Sequence, residues 1–165
     1  MIWGLTASTF TTVHVVLSLV GIGAGLVFLF GLLAGKWLNG WNVLFLVTTI
    51  ATSVTGFGFP FEHLLPSHIV GILSLVVLAA GLIARYAFRL AGAWRRIYVI
   101  CATLALYLNT FVLVVQLFLK VPALKAIAPT QKEPPFAIAQ IVVLVLFVVL
   151  GFLATKRARP QPVPA

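Results

Sequence analysis

The sequence is poor in charged residues, and above all in acidic ones. It contains no aspartate and only two glutamates, Glu62 and Glu133, and charged residues make up 8% of the chain. Without an aspartate, no Ser-His-Asp arrangement can be assembled. The segment "GFGFPF" lacks the lysine and the strand–helix context of a phosphate-binding loop. These absences argue against an enzyme that works without a cofactor.

Cysteine is also scarce, and the N-terminus lacks basic residues. The lone Cys101 cannot form an intramolecular disulfide, and its apolar surroundings are typical of a small buried hydrophobic residue. The first ten residues, "MIWGLTASTF", hold neither lysine nor arginine, so they lack the basic region of a cleaved signal peptide. We therefore expect the first apolar segment to be retained as a membrane span.

Apolar residues dominate the rest of the composition. The 165 residues are 62% hydrophobic, with a mean hydropathy of +1.20. A soluble domain is about half apolar and about a quarter charged, so this chain requires a lipid bilayer as its solvent. The net charge of +9 does not indicate nucleic-acid binding, because the basic residues lie between and after apolar runs, as in membrane topology signals.

The apolar runs predict an all-α bundle of five transmembrane helices. Proline breaks the chain after the second, which is short, and a four-span alternative with that helix re-entrant stays open. We treat residues 1–157 as one bundle and residues 158–165 as a disordered, proline-rich tail. The predicted helices cover Thr12–Ala34, Trp41–Phe57, Ser67–Tyr86, Trp94–Leu119, and a segment that begins near Pro135 and ends at "TKRAR".

The distribution of lysine and arginine predicts an orientation. With the N-terminus outside and the C-terminus inside, eight of the 11 basic residues fall on the inner side. The positive-inside rule favours this topology over its inverse. The outer side would then hold only Lys120, Lys125 and Lys132.

Polar and small residues recur at helical spacing and predict a polar pocket in the outer half of the bundle. Such stripes should face the bundle interior, because a polar side chain in contact with lipid is costly. The competing interpretation is that these residues only join helices together. The three stripes are His14, Ser18, Gly21 and Gly25; Thr49, Thr52, Ser53 and Gly56; and Ala102, Ala105, Asn109, Val112 and Gln116.

The candidate ligand-binding residues lie in this outer half. Glu62 and His63 belong to the turn between the second and third helices, which is rich in proline and phenylalanine. Asn109, Gln116 and Gln140 lie on the fourth and fifth helices. A second outer segment, the basic "KVPALKAIAPTQKEPPF", connects the fourth and fifth helices. The turn and this segment together are expected to cover the pocket or to contact a partner protein.

His14 and His68 are the candidate cofactor ligands. They lie at similar depth on two helices, and a b-type haem requires two facing axial imidazoles. Capping or interhelical hydrogen bonding is the competing explanation. A zinc or copper site would need three or four donors, and His14, Glu62, His63 and His68 are the available set. The His63–His68 spacing is not that of a helical metal pair, so we assign no metal.

Five segments together resemble a group of small bacterial inner-membrane proteins without an assigned function: "TGFGFPF", "LPSHIVGILSLVVLA", "AGAWRRIYV", "ALYLN" and "KVPALKAIAPTQKEPPF". The resemblance covers most of the chain. It implies a multi-pass protein of the bacterial inner membrane, and it implies neither an activity nor a functional residue.

Three functional hypotheses follow. The leading one is a non-enzymatic membrane protein that binds a ligand or a partner subunit, in a complex or a homo-oligomer, through its outer pocket and loops. The second is a small electron-transfer protein with haem b between His14 and His68. The third is a transporter or proton-coupled channel, which the lack of a visible inverted repeat disfavours.

Overall fold

A computed structural model describes residues 1–59 and 66–160, and these residues are almost entirely helical. No strand occurs in these two ranges; a single backbone bridge joins Ile2 and Leu5. The helices are α1 (Ala7–Leu33), α2 (Asn39–Gly56), α3 (Pro66–Leu82), α4 (Ala93–Lys120), α5 (Pro122–Ile127) and α6 (Pro134–Arg157), with a π-helical turn at Ile83–Ala87 after α3.

Four of these helices are long and apolar enough to cross a membrane, which confirms a multi-pass, all-helical membrane protein. They are α1, α3 with its π-helical turn, α4 and α6. Four of the five predicted spans therefore correspond to helices whose length and composition suit a membrane crossing. The remaining helix, α2, has 18 residues and carries two asparagines and several threonines.

Local sequence signals explain where the helices begin and end. Helix α1 begins five residues earlier than predicted, because the Thr6 hydroxyl caps it by accepting a hydrogen bond from the Thr9 amide at 3.2 Å. It ends before Gly35, whose φ of +71° lies in the left-handed region. Proline occupies the first turn of both α5 and α6, where its missing amide costs nothing.

The long helices form a ring with one helix outside it. Helix α1 packs on α2, α2 on α3, α3 on α4, and α4 back on α1. Helix α6 packs outside this ring, against α4 and α1. Helix α2 lies between α1 and α3, and within the described residues α1 and α3 are not one of the principal pairings.

The two ends of the bundle differ in charge. One end, which we call the basic end, is formed by residues 33–39, 82–98 and 151–159. There Arg157 Nη1 approaches the Leu33 carbonyl at 3.4 Å, and Arg85 Nη2 donates to Asn39 Oδ1 at 3.1 Å. The same eight basic residues that the sequence places together lie at this end: Lys36, Arg85, Arg89, Arg95, Arg96, Lys156, Arg157 and Arg159. The three remaining lysines lie towards the opposite end.

The chain after α6 begins with ordered contacts. Ala158 is buried, and the Arg159 carbonyl accepts a hydrogen bond from Trp37 Nε1 at 2.8 Å. The predicted disordered tail therefore starts with residues that pack on the α1–α2 turn. Residues 161–165 lie outside the described part of the chain.

Candidate functional site

A group of hydroxyl and amide side chains lies buried between α1, α2, α3 and α4. We call it the polar cluster. Ser18 Oγ of α1 donates to Asn109 Oδ1 of α4 at 2.9 Å. Ser53 Oγ of α2 approaches Ser74 Oγ of α3 at 3.3 Å. The cluster consists of Ser18, Thr48, Thr49, Thr52, Ser53, Ser74 and Asn109.

Gly21 allows α1 to approach this cluster closely. A Cβ atom at Gly21 would lie 3.1 Å from Thr48 Oγ1, 3.2 Å from Thr49 Oγ1 and 3.4 Å from Asn109 Nδ2. The three polar stripes recognised in the sequence thus meet at this glycine. The small residues of α1 bring the helix backbone next to polar atoms of two other helices.

Three atoms of the polar cluster have no hydrogen-bond partner within the described part of the chain. They are Thr49 Oγ1, Thr52 Oγ1 and Asn109 Nδ2, each of them buried. A buried polar group without a partner costs about 1–3 kcal/mol. Two hydroxyls can donate or accept, whereas the amide nitrogen only donates. These three atoms suit a neutral ligand that has hydrogen-bonding groups. The amide donor makes the polar cluster a poor site for a cation.

His14 is held at the end of α2 nearest the N-terminus of α1. Its Nδ1 lies 2.8 Å from Thr55 Oγ1, and Thr55 Oγ1 itself donates to the Ala51 carbonyl at 2.7 Å. The hydroxyl has a single hydrogen, so it must accept from His14. We therefore assign the hydrogen of the neutral imidazole to Nδ1, which leaves the lone pair on Nε2.

His68 contacts the same end of α2. It is buried, and its ring centroid lies 5.8 Å from that of Phe57. The His14 ring stands edge-on to Phe59 at 5.2 Å. Each imidazole is thus packed against a phenylalanine of one short segment, residues 55–59.

The haem hypothesis stays a prediction. Two axial ligands must face each other across the iron. Among the described contacts, the His14 ring packs on Phe59 and the His68 ring packs on Phe57. Within residues 1–59 and 66–160, no three His, Cys, Asp or Glu side chains come together as a metal site would require.

The other candidate residues are dispersed. Glu62 and His63 lie outside the described residues. Asn109 is buried in the polar cluster, but Gln116, on the same predicted stripe, is exposed. Gln140 Nε2 donates to the Phe111 carbonyl at 3.3 Å, and its buried Oε1 has no partner among residues 1–59 and 66–160. Gln140 therefore joins α6 to α4 on a different side of α4 from Asn109.

A block of apolar side chains closes the polar cluster towards the basic end. A Cβ atom at Gly25 would lie 2.6 Å from Leu106 Cδ1 and 2.8 Å from Phe45 Cδ2. Phe28, Phe45 and Leu106 are almost completely buried. The polar cluster therefore ends near the middle of the bundle.

A second buried polar group lies beyond this block, and the sequence analysis missed it. Tyr98 Oη donates to Asn42 Oδ1, and Arg85 lies over the Tyr98 ring with its Cζ atom 5.5 Å from the centroid. Trp37 stacks on Tyr98 at 6.1 Å. The only sequence signal was an asparagine and a tyrosine within apolar runs, since the residues that meet are separated by most of two helices.

Comparison with known proteins adds no assignment: no family model, curated protein or solved structure matches this chain.

Proposed function

We propose that the protein crosses the membrane five times, with α2 as the fifth span. Contacts between α1 and α2 support this proposal: His14 meets Thr55, Gly21 meets Thr49, and Gly25 meets Phe45. At the other end of α1, Gly31 meets Leu38. Helix α2 therefore returns alongside α1 from residue 31 to residue 14, a rise of about 26 Å at 1.5 Å per residue. That length is close to a hydrocarbon core of about 30 Å.

The polar residues of α2 explain why it is less hydropathic than the other spans. Asn42, Thr48, Thr49, Thr52 and Ser53 are all buried against neighbouring helices. A span can carry polar groups where protein, and not lipid, surrounds them.

The proposed orientation places the basic end in the cytoplasm of a bacterium and the N-terminus outside its inner membrane. The support is the grouping of eight of the 11 basic residues at that end. Alkaline phosphatase folds to its active form only outside the inner membrane. Fused after Ala165, it should be inactive, and inserted between Ala128 and Glu133 it should be active. An active C-terminal fusion would contradict the five-span topology with the N-terminus outside.

Within this topology, we propose that the polar cluster binds a small, neutral, hydrogen-bonding ligand that enters from the outer side, without chemical conversion of it. The observation that carries the proposal is the set of three unpartnered buried atoms, Thr49 Oγ1, Thr52 Oγ1 and Asn109 Nδ2. A bound ligand would supply the missing hydrogen bonds. The apolar block of Phe28, Phe45 and Leu106 favours a closed binding site over a transport path.

A pair of glycine substitutions on α1 tests this proposal. Gly21→Ala would place a methyl group 3.1–3.4 Å from Thr48, Thr49 and Asn109, against polar atoms that a ligand would contact. Gly23→Ala is the matched control, because a Cβ there has no neighbour within 4 Å. Both changes are equal in helix propensity.

We expect Gly21→Ala to purify with about tenfold or more less of the small molecule than the wild type or Gly23→Ala. A loss of about 1.4 kcal/mol of contact energy would produce this difference. Mass spectrometry of extracts from equal amounts of purified protein gives the measurement. An identical set of small molecules in all three proteins, or none in any, would contradict the ligand proposal.

A further inference from the structure

A groove runs between α4 and α6 on the outside of the ring, separate from the polar cluster. Its volume is about 700 Å³. Its walls are apolar for most of their length, and include Ile100 and Leu104 of α4 and Val148 and Phe152 of α6. All four side chains are exposed, because they lie on faces of α4 and α6 that the other helices do not cover.

Cations line only one end of the groove. Arg95 and Arg96 approach it from α4, and Lys156 approaches it from α6. The Lys156 ammonium lies over the Phe152 ring, 4.3 Å from its centroid. The opposite end of the groove reaches Tyr107 and Leu144. The groove therefore has a cationic head region and an apolar body.

No carboxylate in the described ranges neutralises these cations. Glu133, the one acidic residue described, begins α6 at the far end of the bundle. Two other basic residues at the basic end are already engaged, since Arg157 donates to the Leu33 carbonyl and Arg85 donates to Asn39. Arg95, Arg96 and Lys156 thus form a positively charged group that lacks an anionic partner within the described chain.

The depth of the groove matches one leaflet of a bilayer. From Arg96 to Tyr107, α4 rises by about 17 Å at 1.5 Å per residue. Half of a hydrocarbon core of about 30 Å is about 15 Å. An amphiphile in the groove would therefore hold its headgroup at the membrane surface and its chains within one leaflet.

We propose that this groove binds an anionic phospholipid of the surrounding leaflet. The phosphate lies between Arg95, Arg96 and Lys156, and an acyl chain follows Ile100, Leu104 and Val148 towards the middle of the membrane. Arginine pairs well with phosphate because its guanidinium donates two parallel hydrogen bonds. Basic pockets between spans are suited to anionic headgroups.

Native mass spectrometry of the full-length protein in detergent tests the proposal. The probes are phosphatidylglycerol and phosphatidylcholine with identical acyl chains, titrated separately. Each lysine or arginine near an anionic surface contributes about fivefold in affinity. Replacing Arg95, Arg96 and Lys156 together by glutamine should therefore weaken phosphatidylglycerol binding by about 100-fold.

The matched control makes the same change of charge at the other end. Lys120, Lys125 and Lys132 replaced together by glutamine should leave the affinity for phosphatidylglycerol within twofold of the wild type. If the triple groove variant does not fold, Arg96→Gln alone, at an exposed position, should lower the affinity by about fivefold.

Two further measurements separate a lipid site from a plain anion site. Ile100→Trp fills the apolar body without touching the charges, and it should weaken phosphatidylglycerol binding several-fold. Inorganic phosphate at 100-fold excess over the lipid should not displace it. Equal binding of the two lipids, equal effects of the two triple variants, displacement by phosphate, or unchanged binding by Ile100→Trp would each overturn the proposal.

Discussion

Relative to Gly23→Ala on the same helix, Gly25→Ala is expected to lower the free energy of unfolding by about 1–3 kcal/mol, the usual cost of excess volume in a packed core. The added Cβ would lie 2.6 Å from Leu106 Cδ1 and 2.8 and 3.0 Å from two ring atoms of Phe45. Both neighbours are only 1% exposed, so neither can swing out of the core to make room. Helix α1 would have to move away from α2 and α4, which would loosen the block that closes the polar cluster.

Gly23→Ala is the control for this prediction. Alanine is favoured over glycine in a helix by about 1 kcal/mol, and this gain applies equally to both positions. The difference between the two variants therefore isolates the contact with Phe45 and Leu106. Unfolding of the purified proteins in mixed detergent and dodecyl sulfate micelles gives the two free energies. If Gly25→Ala were as stable as Gly23→Ala, α1 could not approach α2 and α4 as closely as described.

The approximate positions of the four most apolar helices could be predicted from the sequence because long apolar runs indicate them. Helix α2 is the exception in composition, since Asn42 and its threonines make it less apolar than a span exposed to lipid. Its polar residues are covered by α1, α3 and α4, and covering by neighbours is a tertiary property that hydropathy does not contain. The early start of α1 was missed although Thr6 is a preferred capping residue.

Part of the candidate site could also be predicted. The stripes through Gly21, Thr49 and Asn109 face one another because small and polar residues mark the interior when lipid-facing positions are uniformly apolar. Periodicity failed for Gln116, which continues the Asn109 stripe but is exposed. Periodicity predicts the face of the helix on which a side chain lies. It does not predict how far along that face the neighbouring helix extends.

The contacts of Tyr98 could not be predicted, because they join residues distant in the sequence. Asn42 and Tyr98 are 56 residues apart, and Arg85 reaches them from the π-helical turn after α3. Such a turn shifts the register of a helix, and a simple count of 3.6 residues per turn does not reveal it. Because this group is buried, its hydrogen bond is expected to matter for the stability of the bundle.

Tyr98→Phe is expected to destabilise the bundle by about 1–3 kcal/mol. The change removes one oxygen and leaves the ring, so its packing against Trp37 and Arg85 is retained. Asn42 is completely buried and its Nδ2 already lacks a partner. Losing the Tyr98 hydroxyl would leave Asn42 Oδ1 without its hydrogen bond as well.

Tyr107→Phe is the matched control on the same helix, because Tyr107 is half-buried and has no hydrogen bond through its hydroxyl among the described contacts. It should change stability by less than about 0.5 kcal/mol.

A double-mutant cycle then separates the hydrogen bond from general loss of packing. Replacing both polar partners by apolar groups of similar shape is nearly neutral, whereas removing one leaves the other unsatisfied. Asn42→Leu combined with Tyr98→Phe should therefore be more stable than Tyr98→Phe alone, with a coupling energy of about 1–2 kcal/mol. Free energies of unfolding for the four proteins, measured in the same micelles, give this coupling. Additive effects of the two substitutions would mean that Tyr98 and Asn42 stabilise the bundle independently, and the buried pair would then lose its role in joining α2 to α4.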